Sequence, residues 1–278
     1  RAAFEQARDQ ATPDVHVAHL STGMCPAHRR VVLRQVMGRI EAREPLCLVS
    51  TSLIEAGVDL DVPVVFRAIA PPDSQAQAAG RCNREGTLGP EGGLVVVFDP
   101  VDGGIPPSYR TQIEKARLTF GENKADPEDL GALRQYFTDL YRTLGVEDSG
   151  SAARTIEQHR KRWDFVGVTD GPPRRNGHGR DRQKAFRLIQ DDTVPVVARY
   201  GGDAERRTVQ RALADLRGPA PDRDAWRQIQ PYLTTVRRWT AQQPEVAALM
   251  KPVVGDLLEW RGTYDDGYGL VLQPRGED

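Results

Sequence analysis

The chain has 278 residues, 39% hydrophobic and 28% charged, with a formal net charge of -1; this is a globular composition with room for more than one domain. No apolar run is long enough to cross a bilayer, and Cys25, Cys47 and Cys82 lie far apart without a CxxC pair, which argues against a disulfide framework or a zinc site and fits a reducing, cytoplasmic setting. A near-neutral total leaves nucleic-acid binding open, because a local basic stripe is enough.

The N-terminus, Arg1-Ala2-Ala3-Phe4-Glu5-Gln6-Ala7-Arg8, has no secretory signal and reads as the middle of a helix in a longer protein. Val15 to Leu20 is a strand candidate ending at Ser21-Thr22-Gly23. Pro26 then opens a helix, in which Val32, Leu33, Val36, Met37 and Ile40 form one apolar face. Leu46 to Val49, Val62 to Ile69 and Leu94 to Phe98 are further short apolar strands. Continuous apolar runs separated by helices predict a parallel sheet covered on both faces, with ligands at the carboxyl ends of its strands.

From Pro106 to about Trp163 the pattern is helical. Ile113, Ala116 and Phe120 share one face, and Leu133, Phe137, Leu140, Tyr141 and Leu144 another, with Asp126-Pro127 as a helix start. Residues 169 to 184, rich in Gly, Pro and Arg, read as an exposed linker. Arg174, Arg175, Arg180, Arg182 and Lys184 there make a basic run, more often a solvated loop than a phosphate contact. Beyond it Val194 to Ala198 is a strand and Val209, Ala212, Leu213 and Leu216 mark a helix. Thr234 to Trp239, Leu257 to Trp260 and Leu270 to Gln273 read as strands, with a turn at Asp266-Gly267. Trp226, Tyr232, Trp239 and Trp260 could stack on bases but are expected to form the core of this small α+β domain; Tyr264 and Tyr268 could serve a partner, the plainer reading being hairpin packing.

Two stretches carry chemistry. The first is Ser50-Thr51-Ser52-Leu53-Ile54-Glu55-Ala56-Gly57-Val58-Asp59-Leu60-Asp61. Its hydroxyls and backbone N–H groups can hold a backbone phosphate at a helix start, and Gly57 permits a sharp exit. The plainer reading is a helix cap with Gly57 as its stop. The second is Gln77-Ala78-Ala79-Gly80-Arg81-Cys82-Asn83-Arg84. On a helix, Arg81 and Arg84 lie one turn apart on one face, where two guanidinium forks can clamp nucleotide phosphates. The plainer reading is a pair of solvated arginines. The five histidines, His16, His19, His28, His159 and His178, are scattered without metal-ligand spacing, so no metal site is expected in this chain.

These stretches resemble motifs V and VI of superfamily 2 helicases, and His19-Leu20-Ser21-Thr22 followed by Pro26, His28, Arg29 and Arg30 resembles motif IV. More narrowly, Leu53 to Asp61 and Gln77 to Gly86 are similar to the CRISPR-associated helicase–nuclease of type I systems, as are Trp163-Asp164-Phe165, Phe186 to Ile189 and Thr193 to Val196. The resemblance implies a second RecA-like domain over 1–105, with its first strand missing, a helical connector with a basic loop over 106–184, and a C-terminal accessory domain over 185–278. It implies that Arg81 and Arg84 are arginine fingers and that Gln77, Gly80, Gly57 and Asp59 approach the nucleotide. Ser21, Thr22, Ser50 and Thr51 would contact single-stranded DNA. ATP and Mg2+ would be bound mainly by a first RecA-like domain, and the nuclease metals by an HD domain. The further partner would be the crRNA-guided surveillance complex, with no membrane. The sequence contains no GxxxxGK[ST] loop, no DExx box and no paired His-Asp cluster, so the chain alone is expected to hydrolyse no ATP and cut no DNA. Another superfamily 2 RNA or DNA motor, and a non-catalytic nucleic-acid-binding module that retains a motor lobe, are the alternatives.

Overall fold

The computed structural model describes residues 1–272 except 56, 91, 101–104, 106–108, 122, 127–128, 146–147, 149–150, 175–177, 187–191 and 221. In chain order, α1 (Ala2–Gln10) is followed by β1 (His16–Leu20), α2 (Pro26–Glu41), β2 (Leu46–Ser50) and a 3-10 turn at Ser52–Ile54. Next come β3 (Val64–Ala68), α3 (Pro72–Ala79), β4 (Leu94–Phe98), α4 (Arg110–Thr119), α5 (Leu130–Thr143), α6 (Ala152–Lys161) and α7 (Phe165–Asp170). The remainder runs β5 (Thr193–Val197), α8 (Asp203–Leu216), α9 (Arg223–Ile229), β6 (Leu233–Arg237), α10 (Arg238–Ala241) and α11 (Pro244–Ala247). It closes with β7 (Met250–Val254), β8 (Leu257–Trp260), β9 (Tyr264–Asp265) and β10 (Gly269–Leu270). Among the described residues, no helix is long and apolar enough to cross a membrane. The chain divides into two compact units: residues 1–63, 81–93 and 192–278 form the first, and 64–80 and 94–191 the second.

In the first unit β1 and β2 pair in parallel, from His16 opposite Leu46 to Leu20 opposite Ser50. Pro26 stands in the first turn of α2, where its missing N–H costs nothing. The apolar face predicted for α2 forms as expected: Val32 and Val36 are buried with Leu20, Met24 and Leu60, and Leu33, Met37 and Ile40 pack around them. The same unit contains a four-stranded mixed sheet of order β6-β5-β8-β7. Alternation along β5 sends Val194 and Val196 to one face, against Cys25, Val236 and Trp260. Val197 faces the other way, against Val209, Leu213, Leu216, Ile229 and Leu257, as the period of two requires. Each such buried Val or Leu contributes on the order of 1.5–3 kcal/mol.

Polar contacts join the two ends of the sequence within this unit. Thr234 Oγ1 donates to the Thr22 carbonyl at 2.7 Å, and the Cys25 N–H donates to Tyr264 Oη at 3.0 Å. His28 is buried, with Nδ1 3.0 Å from Tyr264 Oη and Nε2 3.0 Å from the Asp266 carbonyl. A neutral ring satisfies both contacts, Nε2–H donating to the carbonyl and Nδ1 accepting the tyrosine proton. Burial lowers the pKa of His28 and, together with the nearby N-terminal charge, that of His19.

In the second unit β3 and β4 pair in parallel, from Val64 opposite Leu94 to Ala68 opposite Phe98. α4 and α5 pack through Ile113, Ala116, Tyr136 and Leu140, all buried. Asp129 caps α5 by accepting from the N–H groups of Gly131 and Ala132 at 2.8 and 3.2 Å.

The α/β class holds, and four expectations need correction. The parallel strands form two separate pairs, β1 with β2 and β3 with β4, and Phe66, Leu94, Val97 and Phe98 are exposed, so the β3–β4 pair is not covered on both faces. The buried stripe of α5 is centred on Tyr136 and Leu140, while Tyr141 and Leu144 are exposed; Tyr136 reaches the Gln112 carbonyl with its hydroxyl, which lets a polar-tipped ring serve as core. Trp260 is buried as expected, but Trp226 and Trp239 are exposed, Trp239 at 57%, because β6 ends at Arg237 and Trp239 falls on α10. The expected linker begins inside α7 and folds back on itself, with Arg180 donating to the Gly171 carbonyl at 2.8 Å. Arg175, residues 187–189 and Gln273 lie outside the described residues, as does Pro127 of the expected helix start.

Candidate nucleotide and nucleic-acid interface

The first stretch and the Arg81–Arg84 end of the second meet in the first unit, and the rim they share follows from strand polarity. Parallel pairing of β1 with β2 puts Ser21-Thr22 and Ser50-Thr51 side by side at the carboxyl ends of both strands. The Thr51 N–H donates to the Leu20 carbonyl at 3.1 Å, and Ser50 Oγ donates to the same carbonyl at 3.0 Å. That fixes the Ser50 hydroxyl inward. Thr22 and Thr51 are left exposed on the rim.

The chain then makes its 3-10 turn and leaves it at Gly57, whose φ of +76° is left-handed backbone that glycine adopts without steric cost. An added Cβ there would meet nothing within 4 Å, so the requirement is conformational. Beyond it, Val62 pairs in parallel with Cys82: the Val62 N–H donates to the Arg81 carbonyl at 3.0 Å, and the Asn83 N–H to the Val62 carbonyl at 2.9 Å. This short bridge lays the second stretch against the end of the first.

Arg81 and Arg84 take opposite roles there. α3 ends at Ala79 with Gly80 as its cap, so the arginines do not share a helical face, contrary to the spacing argument. Arg81 is 8% exposed and points back into the chain: Nε donates to the Ile54 carbonyl at 3.1 Å and Nη2 to the Glu55 carbonyl at 2.8 Å. It ties down the end of the 3-10 turn. Arg84 faces solvent with its side chain 40% exposed, and its Nε lies 3.0 Å from Asp59 Oδ1, a carboxylate that is itself 76% exposed. Such a pair is worth only about 0–1 kcal/mol, so a phosphate that accepts the guanidinium fork bidentately can displace it.

Two residues without a predicted role build this loop. Asp61 Oδ1 accepts the Arg84 N–H at 2.7 Å. Asn83, at φ +47°, donates from Nδ2 to the Gly89 carbonyl at 2.8 Å and accepts the Leu88 N–H at 3.0 Å. The tolerance of Asn for left-handed backbone is the sequence signal that marks it. Gln77, exposed on α3, and Gly80 belong to the second unit. A Cβ added at Gly80 would make ordinary contact with the Ala76 carbonyl at 3.4 Å, so space alone does not require glycine there. Among the described residues, no group of three or more His, Cys, Asp or Glu side chains is placed to share a metal ion.

Parallel strands with a polar rim, and the Arg84 loop laid against the end of the first stretch, make up the candidate site of this α/β unit. Residues 1–87 match the family model described as CRISPR-associated nuclease/helicase Cas3, C-terminal. It is 45% identical over 93 residues to the CRISPR-associated nuclease/helicase Cas3 of Haloferax volcanii, covering 33% of this chain and 10% of that protein. Among solved structures it is similar to T. fusca Cas3 with ATP, with a TM-score of 0.53 and 17% identity over 97% of this chain and 35% of the other. It is also similar to a chain of the CRISPR RNA-guided surveillance complex, pre-nicking, with a TM-score of 0.52 and 18% identity over 97% of this chain and 39% of the other. The chain thus spans about a tenth of the curated relative and little more than a third of these structures.

Proposed function

We propose that this chain is the C-terminal part of an ATP-dependent single-stranded-DNA translocase coupled to a nuclease in type I CRISPR interference. One observation carries the reading: the two motif stretches are laced together so that Arg81 is buried as a tie and Arg84 is displayed on an easily displaced carboxylate. Arg84 acts as the arginine finger on the phosphates of ATP, and Arg81 holds the loop that presents it. Gly57, Asp59, Gln77 and Gly80 belong to the nucleotide interface, and Ser21, Thr22, Ser50 and Thr51 to the path of the strand. ATP and its Mg2+ are held mainly by another part of the full-length protein, because no GxxxxGK[ST] loop or DExx box occurs in these 278 residues; the nuclease metals are likewise held elsewhere. Bound there, ATP supplies the phosphoryl transfer that drives movement.

The match of residues 1–87 to the Cas3 family supports the motor and nuclease assignment. Likeness to a chain of the surveillance complex supports a crRNA-guided complex as partner, in the cytoplasm. The test is ATP turnover by the full-length protein with single-stranded DNA or RNA of matched sequence. The reading expects stimulation by DNA and little by RNA. Equal or stronger stimulation by RNA would assign the chain to another superfamily 2 motor, and no stimulation by either would favour a non-catalytic binding module.

A further inference from the structure

A second strand-to-helix junction lies in the first unit, far in sequence from the motifs. β5 leads through Arg199-Tyr200-Gly201-Gly202 into α8, and a cavity of about 600 Å³ opens beside it, lined chiefly by Arg199, Arg206, Arg207, Arg261, Asp203 and Tyr264. Four guanidiniums thus face one lining carboxylate. Beneath them Glu259 is fully buried and accepts from Arg199, from Arg217 at 2.6 Å and from Arg261 at 3.5 Å. Counting both carboxylates against the lining arginines still leaves the wall positive. Gathering like charges around one concavity is unfavourable without an anion to receive them.

The wall is also built to hold its shape. Gly201 has φ +100°, and a Cβ there would come within 2.9 Å of Glu205 Cβ. A Cβ at Gly262 would come within 2.6 Å of the Trp260 ring, so that ring closes on the cavity floor only because position 262 has no side chain. Glu259 fixes the forks of Arg199 and Arg261 from below. Arg206 is steadied by donating from Nε to the Gly201 carbonyl at 2.8 Å, which leaves its terminal nitrogens available for a ligand. The Nε of Arg199 is buried and makes no hydrogen bond within the chain.

We propose that this cavity is a phosphate site that takes a phosphodiester of a single nucleic-acid strand. The shared chemistry is a phosphate on guanidinium forks, and its two sources are a strand and a free nucleotide. Four forks spread between one turn of α8 and the end of β8 exceed what one phosphate needs and suit successive phosphates of a strand. The proposal rests on the nucleic-acid reading above but on residues outside both motifs, so the two can fail separately.

The test is fluorescence anisotropy of a labelled oligodeoxythymidylate with the 278-residue chain over a salt series, with AMP and inorganic phosphate as competitors. Arg206 and Arg207 are exposed, so the double variant R206Q/R207Q keeps the fold. It is expected to bind at least about tenfold more weakly and to lose about 1.4 from the logarithmic salt slope, roughly 0.7 for each phosphate contact removed. R206K/R207K is expected to restore most of the slope. Unchanged affinity and slope in R206Q/R207Q would overturn the proposal. If Ser50→Ala with Thr51→Val weakens binding while the arginine variant does not, the cavity falls and the strand path at the motifs stands. Displacement of the oligonucleotide by AMP at equal phosphate concentration, with the same arginine dependence, overturns the strand in favour of a free nucleotide. Arginine-dependent binding of polyglutamate where the oligonucleotide does not bind overturns phosphate as the ligand.

Discussion

Arg81 and Arg84 stand three positions apart and differ in what surrounds them. The guanidinium of Arg81 is enclosed and donates to two backbone carbonyls, bonds from a charged donor that are each worth about 1.5–3 kcal/mol. Arg81→Ala is therefore expected to lower the stability of the chain by about 3 kcal/mol or more in urea unfolding. Arg84→Ala removes only a surface pair and is expected to change stability by less than about 1 kcal/mol. Equal losses for the two variants would contradict the division of roles. A second residue-scale prediction concerns pH. Burial depresses the pKa of His28, with lesser opposing contributions from the Asp266 carbonyl and nearby carboxylates, below its ordinary 6.5. The unfolded chain therefore takes up the proton first as pH falls, so the stability that neutral His28 contributes is complete above about 6.5 and is lost progressively below it. Unfolding midpoints between pH 7.5 and pH 5 should fall with pH in the parent chain, and less steeply in His28→Gln; identical slopes would remove His28 from that dependence.

At the scale of elements, the sequence was most legible where period and burial agree. Pro26 and the Val32–Val36 stripe located α2, and the apolar runs located β2, β4 and β8, because short apolar runs favour strands, although β4 is largely exposed. The two motif stretches were legible as the segments of interest, but their local structure was not. A three-residue spacing suggests a helical face only if the helix continues, and α3 stops at Ala79. Asp61 and Asn83 act through loop hydrogen bonds, which have no periodic signal. The network around Glu259 was invisible for another reason: its members, Arg199, Arg217 and Arg261, come from three separate segments. Burial pushes the Glu259 carboxyl up, and the hydrogen bonds from Arg217 and Arg199 together outweigh that, leaving its pKa below the ordinary value. Glu259→Gln removes the one buried charge of the cluster and weakens its charge-assisted hydrogen bonds, while the partly exposed guanidiniums stay solvated, so it is expected to destabilise the chain by roughly 1–3 kcal/mol in thermal or urea unfolding. A variant as stable as the parent would show that the arginines find other partners.

For the whole molecule, a net charge of -1 conceals a local concentration of basic groups, the cavity beside α8, and an arginine displayed against an exposed carboxylate at Arg84. Total charge therefore says little about what this chain touches, and the arrangement of its arginines says more. On the proposed reading the motif loop supplies a finger but no cradle for a nucleotide, since the GxxxxGK[ST] loop and DExx box that such a cradle requires are not in this sequence. The purified 278-residue chain is accordingly expected to show no DNA-stimulated ATP turnover above buffer. The central claim is that Arg84 acts on a nucleotide held by the full-length protein, and single-turnover ATP hydrolysis by that protein carrying Arg84→Ala tests it most directly. The account predicts a fall of about 10³-fold or more in a protein whose unfolding midpoint is unchanged; hydrolysis at the parent rate would contradict it.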